Sequence, residues 1–161
     1  MRESTALHDG WIAPATSAPA FTVWLGRCED GRCVHRLVLA GTEIAGFVTL
    51  SEIVRGSFQN AFISYGAVQR YAGRGIMTAG MRLVLNEAFG PLALHRVEAN
   101  IQPGNRPSAA LVRRLGFVLE GFSERYLQVA GQWRDHERWA LCVEQWPTGE
   151  DGRPGGYAAD R

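Results

Sequence analysis

A strand that runs straight into a doubled-glycine turn and out into a helix constrains this chain more than any other feature. Residues 61–68 read as the strand, and Arg70-Tyr71-Ala72-Gly73-Arg74-Gly75 as the turn. Ile76-Met77-Thr78-Ala79 opens the helix. Two glycines one residue apart let the backbone turn tightly and come close to a ligand. A helix that starts there aims unpaired N–H groups and the positive end of its dipole into the turn. Arg70 and Arg74 add full positive charge. The combination suits a pyrophosphate group. It is distinct from the Gly-x-Gly-x-x-Gly of dinucleotide folds and from the Gly-Lys-Ser/Thr of nucleoside-triphosphate loops, neither of which occurs here.

The flanking pattern fixes the fold class. Residues 32–39 and 44–50 read as strands around Ala40-Gly41-Thr42, and 51–60 as a polar connection. The helix spans 75–89, with Arg74, Thr78, Arg82 and Asn86 as its polar stripe. Residues 94–101 alternate, with Val97, Ala99 and Ile101 on one face and Arg96, Glu98 and Asn100 on the other. Pro107 and Gly116 bracket a second helix at 106–115. Two strands, 117–129 and 133–143, meet at Ala130-Gly131. This order predicts a mixed α/β sheet with one crossover beside the cradle. Residues 1–17 read as an irregular lead-in, 19–28 as a short helix, and the Gly/Pro/Asp-rich tail after Trp146 as disordered. The domain therefore spans 18–146.

With 161 residues, 46% apolar and 20% charged, the chain has the length and composition of one globular domain. A formal net charge of +1 gives no footprint for nucleic acid. No apolar run reaches the roughly 20 residues of a membrane span, and no signal peptide is visible. Three cysteines make no disulfide framework. Cys28, Cys33 and His35 lack a fourth ligand and match no zinc module, so no metal is expected. A reducing, cytoplasmic setting follows.

Arg-x-x-Gly-x-Gly between strand and helix resembles the acetyl-CoA motif of the GNAT acetyltransferase superfamily. Further motifs follow in order. They are Ile53-Val54-Arg55-Gly56-Ser57-Phe58-Gln59-Asn60-Ala61, Leu94-His95-Arg96-Val97-Glu98-Ala99, Asn105-Arg106-Pro107-Ser108, Leu115-Gly116-Phe117 with Glu120-Gly121, and Gly131-Gln132-Trp133-Arg134-Asp135-His136. Together they resemble the RimJ/RimL branch, the ribosomal-protein-alanine N-acetyltransferases, over roughly residues 33–146. The resemblance implies the GNAT fold: a mostly antiparallel sheet, helices on both faces, and two parallel strands splayed at the acetyl-CoA site. It implies pantetheine held at the Val68 backbone and pyrophosphate at Arg70 and at Gly73, Arg74, Gly75, Ile76, Met77 and Thr78. Asn105 falls at the pantetheine arm, where it also reads as a helix N-cap.

The implied reaction is direct attack of an amine on the thioester, on the α-amine of a ribosomal-protein-like N-terminus or peptide. An α-amine, with a pKa of about 7.7–8.0, needs less help to lose its proton than lysine at about 10.4. A small amine such as an antibiotic or polyamine, or CoA binding without catalysis, are the alternative readings. Glu98 is the expected base, acting through water, with an ion pair to Arg96 as its structural reading. Asn100 stands where a neighbouring GNAT branch has a Glu, and Leu127 where RimL-type enzymes have another; Glu124 is a second candidate. Val112 replaces the usual acidic Tyr, which leaves Ser108 to hydrogen-bond the departing sulfur. The N–H near Val68 is the expected oxyanion donor. Arg55, Phe58, Gln59 and Asn100 are expected on the acceptor side. His35, His95 and His136 read as structural. Relatives of this branch usually carry a first strand and helices ahead of the strand at 32–39. A shortened N-terminus is therefore expected here, with room for a second subunit, as a homodimer, to complete the acceptor groove.

Overall fold

The computed structural model describes residues 4–8, 10–26 and 31–147. Cys28 and the tail from residue 148 onward lie outside these. Six strands, β1 (Val34–Ala40), β2 (Glu43–Val54), β3 (Asn60–Ala67), β4 (Arg96–Ile101), β5 (Val118–Val129) and β6 (Gln132–Cys142), form one sheet in the order β1-β2-β3-β4-β6-β5. The helices are α1 (Thr5–His8), α2 (Ala18–Gly26), α3 (Ile76–Phe89) and α4 (Arg106–Arg114). Tight turns at Gly41 and Gly131, both with positive φ, make antiparallel neighbours of β1/β2 and β5/β6. A helical crossover instead makes β3 and β4 parallel. This is the mixed sheet that the order of elements predicts. None of the described helices is long and apolar enough to cross a membrane.

The core lies between the sheet and α3. Met81, Val84, Leu85, Ala88 and Phe89 recur at helical spacing and pack onto β1, β2 and β4. Full burial of each of the larger side chains contributes about 1.5–3 kcal/mol. β4 supplies Val97, Ala99 and Ile101 to this face and turns Arg96, Glu98 and Asn100 to the other. Asn86 is not simply part of a solvated stripe: its Oδ1 accepts from Trp146 Nε1 at 2.8 Å, fixing the end of the domain against α3.

The opposite face is covered from the N-terminal side. Trp24 of α2 stacks on His35 with ring centroids 3.4 Å apart and meets Phe47 edge-on. His35 bonds Thr49 Oγ1 and the Trp24 carbonyl, each at 2.8 Å, and so holds α2 to the sheet. The lead-in carries one helical turn, α1, secured at the end of β3. Ser4 Oγ accepts from Gln69 N at 3.0 Å, and the His8 ring bonds the Ala67 carbonyl at 2.9 Å. β2 runs past Leu50 to Val54 because a bulge, with Glu52 at φ 49°, restores pairing beyond the polar Ser51-Glu52 step.

Gly46 is a tight point of this packing. A Cβ there would lie 2.5 Å from Met77 Sδ and 2.6 Å from the Gly66 carbonyl oxygen. The carbonyl belongs to a paired strand and has little freedom to retreat. Gly46→Ala is expected to destabilise the fold by about 1–3 kcal/mol, measurable as a lower midpoint in chemical denaturation with an unchanged slope.

Candidate active site

β3 and β4 pair only at Asn60↔Arg96, Ala61↔Val97 and Phe62↔Glu98. Beyond that point they separate, and a cavity of about 420 Å³ fills the opening. Its walls are the diverging strands (Ile63–Ala67 and Ala99–Gln102), the glycine turn, the first turn of α4, and His8 and Trp11 from the lead-in. His136 closes it from β6.

The cradle has the geometry an anion needs. Gly73 and Gly75 have φ of 74° and 79°, a left-handed backbone that strains any other residue. A Cβ on either would meet nothing within 4 Å, so the space before them is open. Gly75 is the N-cap of α3 and no side chain caps it. Ala79 N is the first amide to bond back, to the Gly75 carbonyl at 3.1 Å. The preceding N–H groups face the turn, at the positive end of the dipole. Gly73, Gly75, Met77 and Thr78 line the cavity. Arg70, half exposed, pairs with Glu43 at 3.2 Å and lies over the Tyr71 ring; Arg74 and Ile76 flank the turn outside the cavity wall. Arg114 reaches in from α4, 3.5 Å from Thr78 Oγ1. It is a third basic group, after Arg70 and Arg74, that the turn motif alone does not reveal.

At the first turn of α4, Asn105 Oδ1 accepts from Ser108 N at 3.3 Å, and both residues line the cavity. Ser108 Oγ lies 2.6 Å from the hydroxyl of Tyr65 on β3. Burial pushes the Tyr65 phenol up to about 12, so it keeps its proton near neutral pH. Sequence reasoning missed Tyr65. Its signal was period-2 alternation, which puts it on the face of β3 shared with Ala61 and Ile63, and only the fold shows that α4 crosses there.

Several expected residues lie elsewhere. Glu98 is at the closed end of the strand pair, opposite Phe62, and Arg96 Nε donates to its carboxylate at 2.8 Å. Arg96 also holds Glu120, keeping that carboxyl below its usual range. Glu98 thus belongs to an ion-pair cluster outside the cavity wall. Val68 N donates to the Ala45 carbonyl at 2.7 Å, so this N–H is used within the sheet rather than offered to an oxyanion. Arg55, Phe58 and Gln59 lie in a largely exposed, hydrogen-bonded turn at the opposite end of β3 from the cradle. Arg55 donates to the Leu92 carbonyl and to Gln59 Oε1 there, and the Gln59 carbonyl accepts from His95 N and Arg96 N. Of the residues expected on the acceptor side, only Asn100 reaches the cavity, where its Oδ1 is buried and makes no hydrogen bond. Neither Cys33 nor Cys142 lines the cavity.

His8 and His136 are buried, and burial holds both imidazoles below their ordinary 6.5. The unfolded chain therefore binds protons that the folded chain refuses. Their contribution to stability is present above pH 6.5 and is lost as pH falls through the lower folded values. The melting temperature is expected to drop on acidification from pH 7 to 5, and to drop less in His8→Gln, by differential scanning calorimetry.

A sequence model described as "Acetyltransferase (GNAT) domain" matches residues 3–118. The chain is 37% identical over 107 residues to [Ribosomal protein uS5]-alanine N-acetyltransferase of Escherichia coli (strain K12), covering 66% of this chain and 55% of that protein. It thus spans about half the length of the curated relatives it matches. Its fold is similar to that of Mycobacterium smegmatis RimJ in complex with CoA-disulfide. The TM-score is 0.79 at 29% identity, covering 91% of this chain and 75% of that one. Ribosomal-protein-S5-alanine acetyltransferase from Vibrio fischeri gives a TM-score of 0.77 at 25% identity, covering 91% and 85%.

Proposed function

The chain belongs to the acetyltransferase (GNAT) family, and from that premise we propose that it moves the acetyl group of acetyl-CoA to the α-amine of a protein or peptide N-terminus. The observation that carries this reading is the parting of β3 and β4 next to the open, uncapped glycine cradle. That arrangement fits a ligand whose narrow arm is joined to a pyrophosphate: a phosphate seat at Gly73–Thr78 with Arg114 beside it, and a slot between strands for the arm. Bound there, acetyl-CoA supplies an activated thioester. Asn105 and the unpaired edges of β3 and β4 hold the arm. The Tyr65 hydroxyl, still protonated, donates to Ser108 Oγ and leaves the serine proton free to point at the departing sulfur.

The chain's cysteines support direct transfer, since those described stand outside the cavity. Replacing Cys28, Cys33 and Cys142 together with Ser is expected to leave turnover within about threefold, since neither Cys33 nor Cys142 reaches the cavity. Loss of acetylation with CoA binding intact would point instead to an acyl-cysteine route.

The acceptor reading rests on charge. Among the described residues, the cavity wall contains no carboxylate, and its charged side chain is Arg114. A polyamine would bury several positive charges there unpaired, which is costly. A peptide N-terminus brings one amine and otherwise neutral backbone. Thiol release from acetyl-CoA, measured with Ala- and Ser-initiated peptides, N-blocked Lys peptides, spermidine and an aminoglycoside, tests this. Turnover confined to free N-termini is expected. Turnover confined to spermidine or the aminoglycoside would replace the reading with a small-amine acetyltransferase.

A further inference from the structure

We propose that His136 is the general base that takes the proton from the acceptor amine. The inference rests on the acetyl-transfer reading above and adds a residue to it.

His136 is on β6, opposite Ser123. It is 3% exposed, yet it lines the cavity shared with Ser108. Its Nδ1 lies 2.9 Å from the Arg134 carbonyl oxygen. A carbonyl only accepts, so the neutral ring carries its proton on Nδ1 and presents a bare lone pair at Nε2. No hydrogen bond to the described residues uses that lone pair. Asn100 pairs with Arg138, two residues further along β6 on the same face, so Asn100 and His136 are diagonal neighbours. Asn100 Oδ1 is also without a donor. Two unsatisfied acceptors on one face of the sheet, both from cavity-lining residues, complement an ammonium, which has only donors.

The surroundings keep the imidazole neutral. Burial lowers its proton affinity, and the opposing pull of Asp135 and of the Arg134 carbonyl does not reverse this. Tyr126 of β5 packs its ring 6.3 Å away, Arg138 follows on the same strand face, and His8 shares the cavity from the lead-in. His8 is the rival base: its Nε2–H donates to the Ala67 carbonyl at the end of β3, which leaves a lone pair on Nδ1, but the orphaned Asn100 Oδ1 neighbours His136 on the sheet rather than His8. Glu98 is held by Arg96.

The first ammonium proton passes to His136 Nε2 and on to solvent. The nitrogen lone pair then forms the C–N bond as the C–S bond breaks. The second proton, shed by the new amide nitrogen, ends on the sulfur, which Ser108 Oγ–H stabilises as it leaves.

Two measurements test this. The first is ¹⁵N NMR of the His136 ring in the wild-type protein, with and without CoA. The Nδ1–H tautomer, titrating below 6.5, is expected. An Nε2–H tautomer, or a ring still charged at pH 7.5, overturns the proposal whatever the acceptor proves to be. The second is kinetics of His136→Gln and His136→Asn with the best peptide. At pH 7 kcat is expected to fall on the order of 10²–10⁴-fold, with CoA affinity unchanged. Rate should return as pH rises toward the amine's own pKa of about 8, because free amine then forms without a base. A purely structural histidine would give no such recovery. A folded variant that keeps its wild-type kcat, or a loss confined to His8→Gln, overturns the assignment. If both His136 variants fail to fold, the wild-type NMR result decides. Absence of turnover in the wild type counts against the acetyl-transfer reading, and the tautomer result stands apart from it.

Discussion

Gly75→Val is expected to lower acetyl-CoA affinity on the order of a hundredfold or more while leaving a folded protein. Two effects combine. Gly75 stands at φ 79° as the uncapped N-terminus of α3, where a side chain strains the backbone by about 1–2 kcal/mol. The larger part is loss of the anion seat. Nothing lies within 4 Å of a Cβ built there, so the valine would not clash with protein. It would stand in the space a phosphate takes, and would separate it from the amides of the first turn. Charge-assisted hydrogen bonds contribute about 1.5–3 kcal/mol each, and every 1.4 kcal/mol is tenfold in affinity. Isothermal titration with CoA and with pantetheine, which lacks the pyrophosphate, isolates the loss of the anion seat. The variant should lose its preference for CoA, and both proteins should bind the pyrophosphate-free analogue with equal, weak affinity. A variant that retains wild-type CoA affinity would place the phosphates elsewhere.

Ser108→Ala and Tyr65→Phe are each expected to lower kcat by about 10² with little change in acetyl-CoA affinity. The two hydroxyls lie 2.6 Å apart. Burial holds the Tyr65 proton in place up to about pH 12, so Tyr65 stays able to donate throughout the working range. In the proposed reaction it orients Ser108. A group of such high pKa transfers its proton poorly to a thiolate, whose own pKa is about 8.5. The two residues act as one unit, so the double variant should be no slower than the slower single one, a non-additivity that independent contributions would not show. Both substitutions keep the packing. Tyr65→Phe retains the ring, and Ser108→Ala retains the backbone amide that Asn105 caps. Additive losses in single-turnover rates would dissolve the pair.

What could be read from the residues depended on whether the information was local. The glycine turn, the Asn105 cap and the alternation of β4 depend on neighbours in sequence, and each lies where spacing put it. The parallel β3/β4 pair followed from the crossover helix between them. Contacts across the chain were not legible. Glu98 is a carboxylate on the correct strand, but register puts it opposite Phe62, before the strands part, and Arg96 claims it. Arg55, Phe58 and Gln59 are near the cradle strand in sequence, yet a strand's length separates them from the cradle. Tyr65, Arg114 and His136 come from three elements that only the tertiary fold brings to one cavity. The lead-in read as irregular because its composition is; its order comes from Ser4 and His8 bonding the end of β3.

Direct delivery of an acetyl group from acetyl-CoA in this cavity to a free α-amine can be seen in a single reaction. Intact-mass spectrometry follows the protein, acetyl-CoA, and a peptide offering one free N-terminus and one lysine. A single acetyl group on the peptide α-amine, and none on the protein at any time, is expected. Acetyl on the lysine alone, on the protein, or on neither while CoA binds tightly would contradict it.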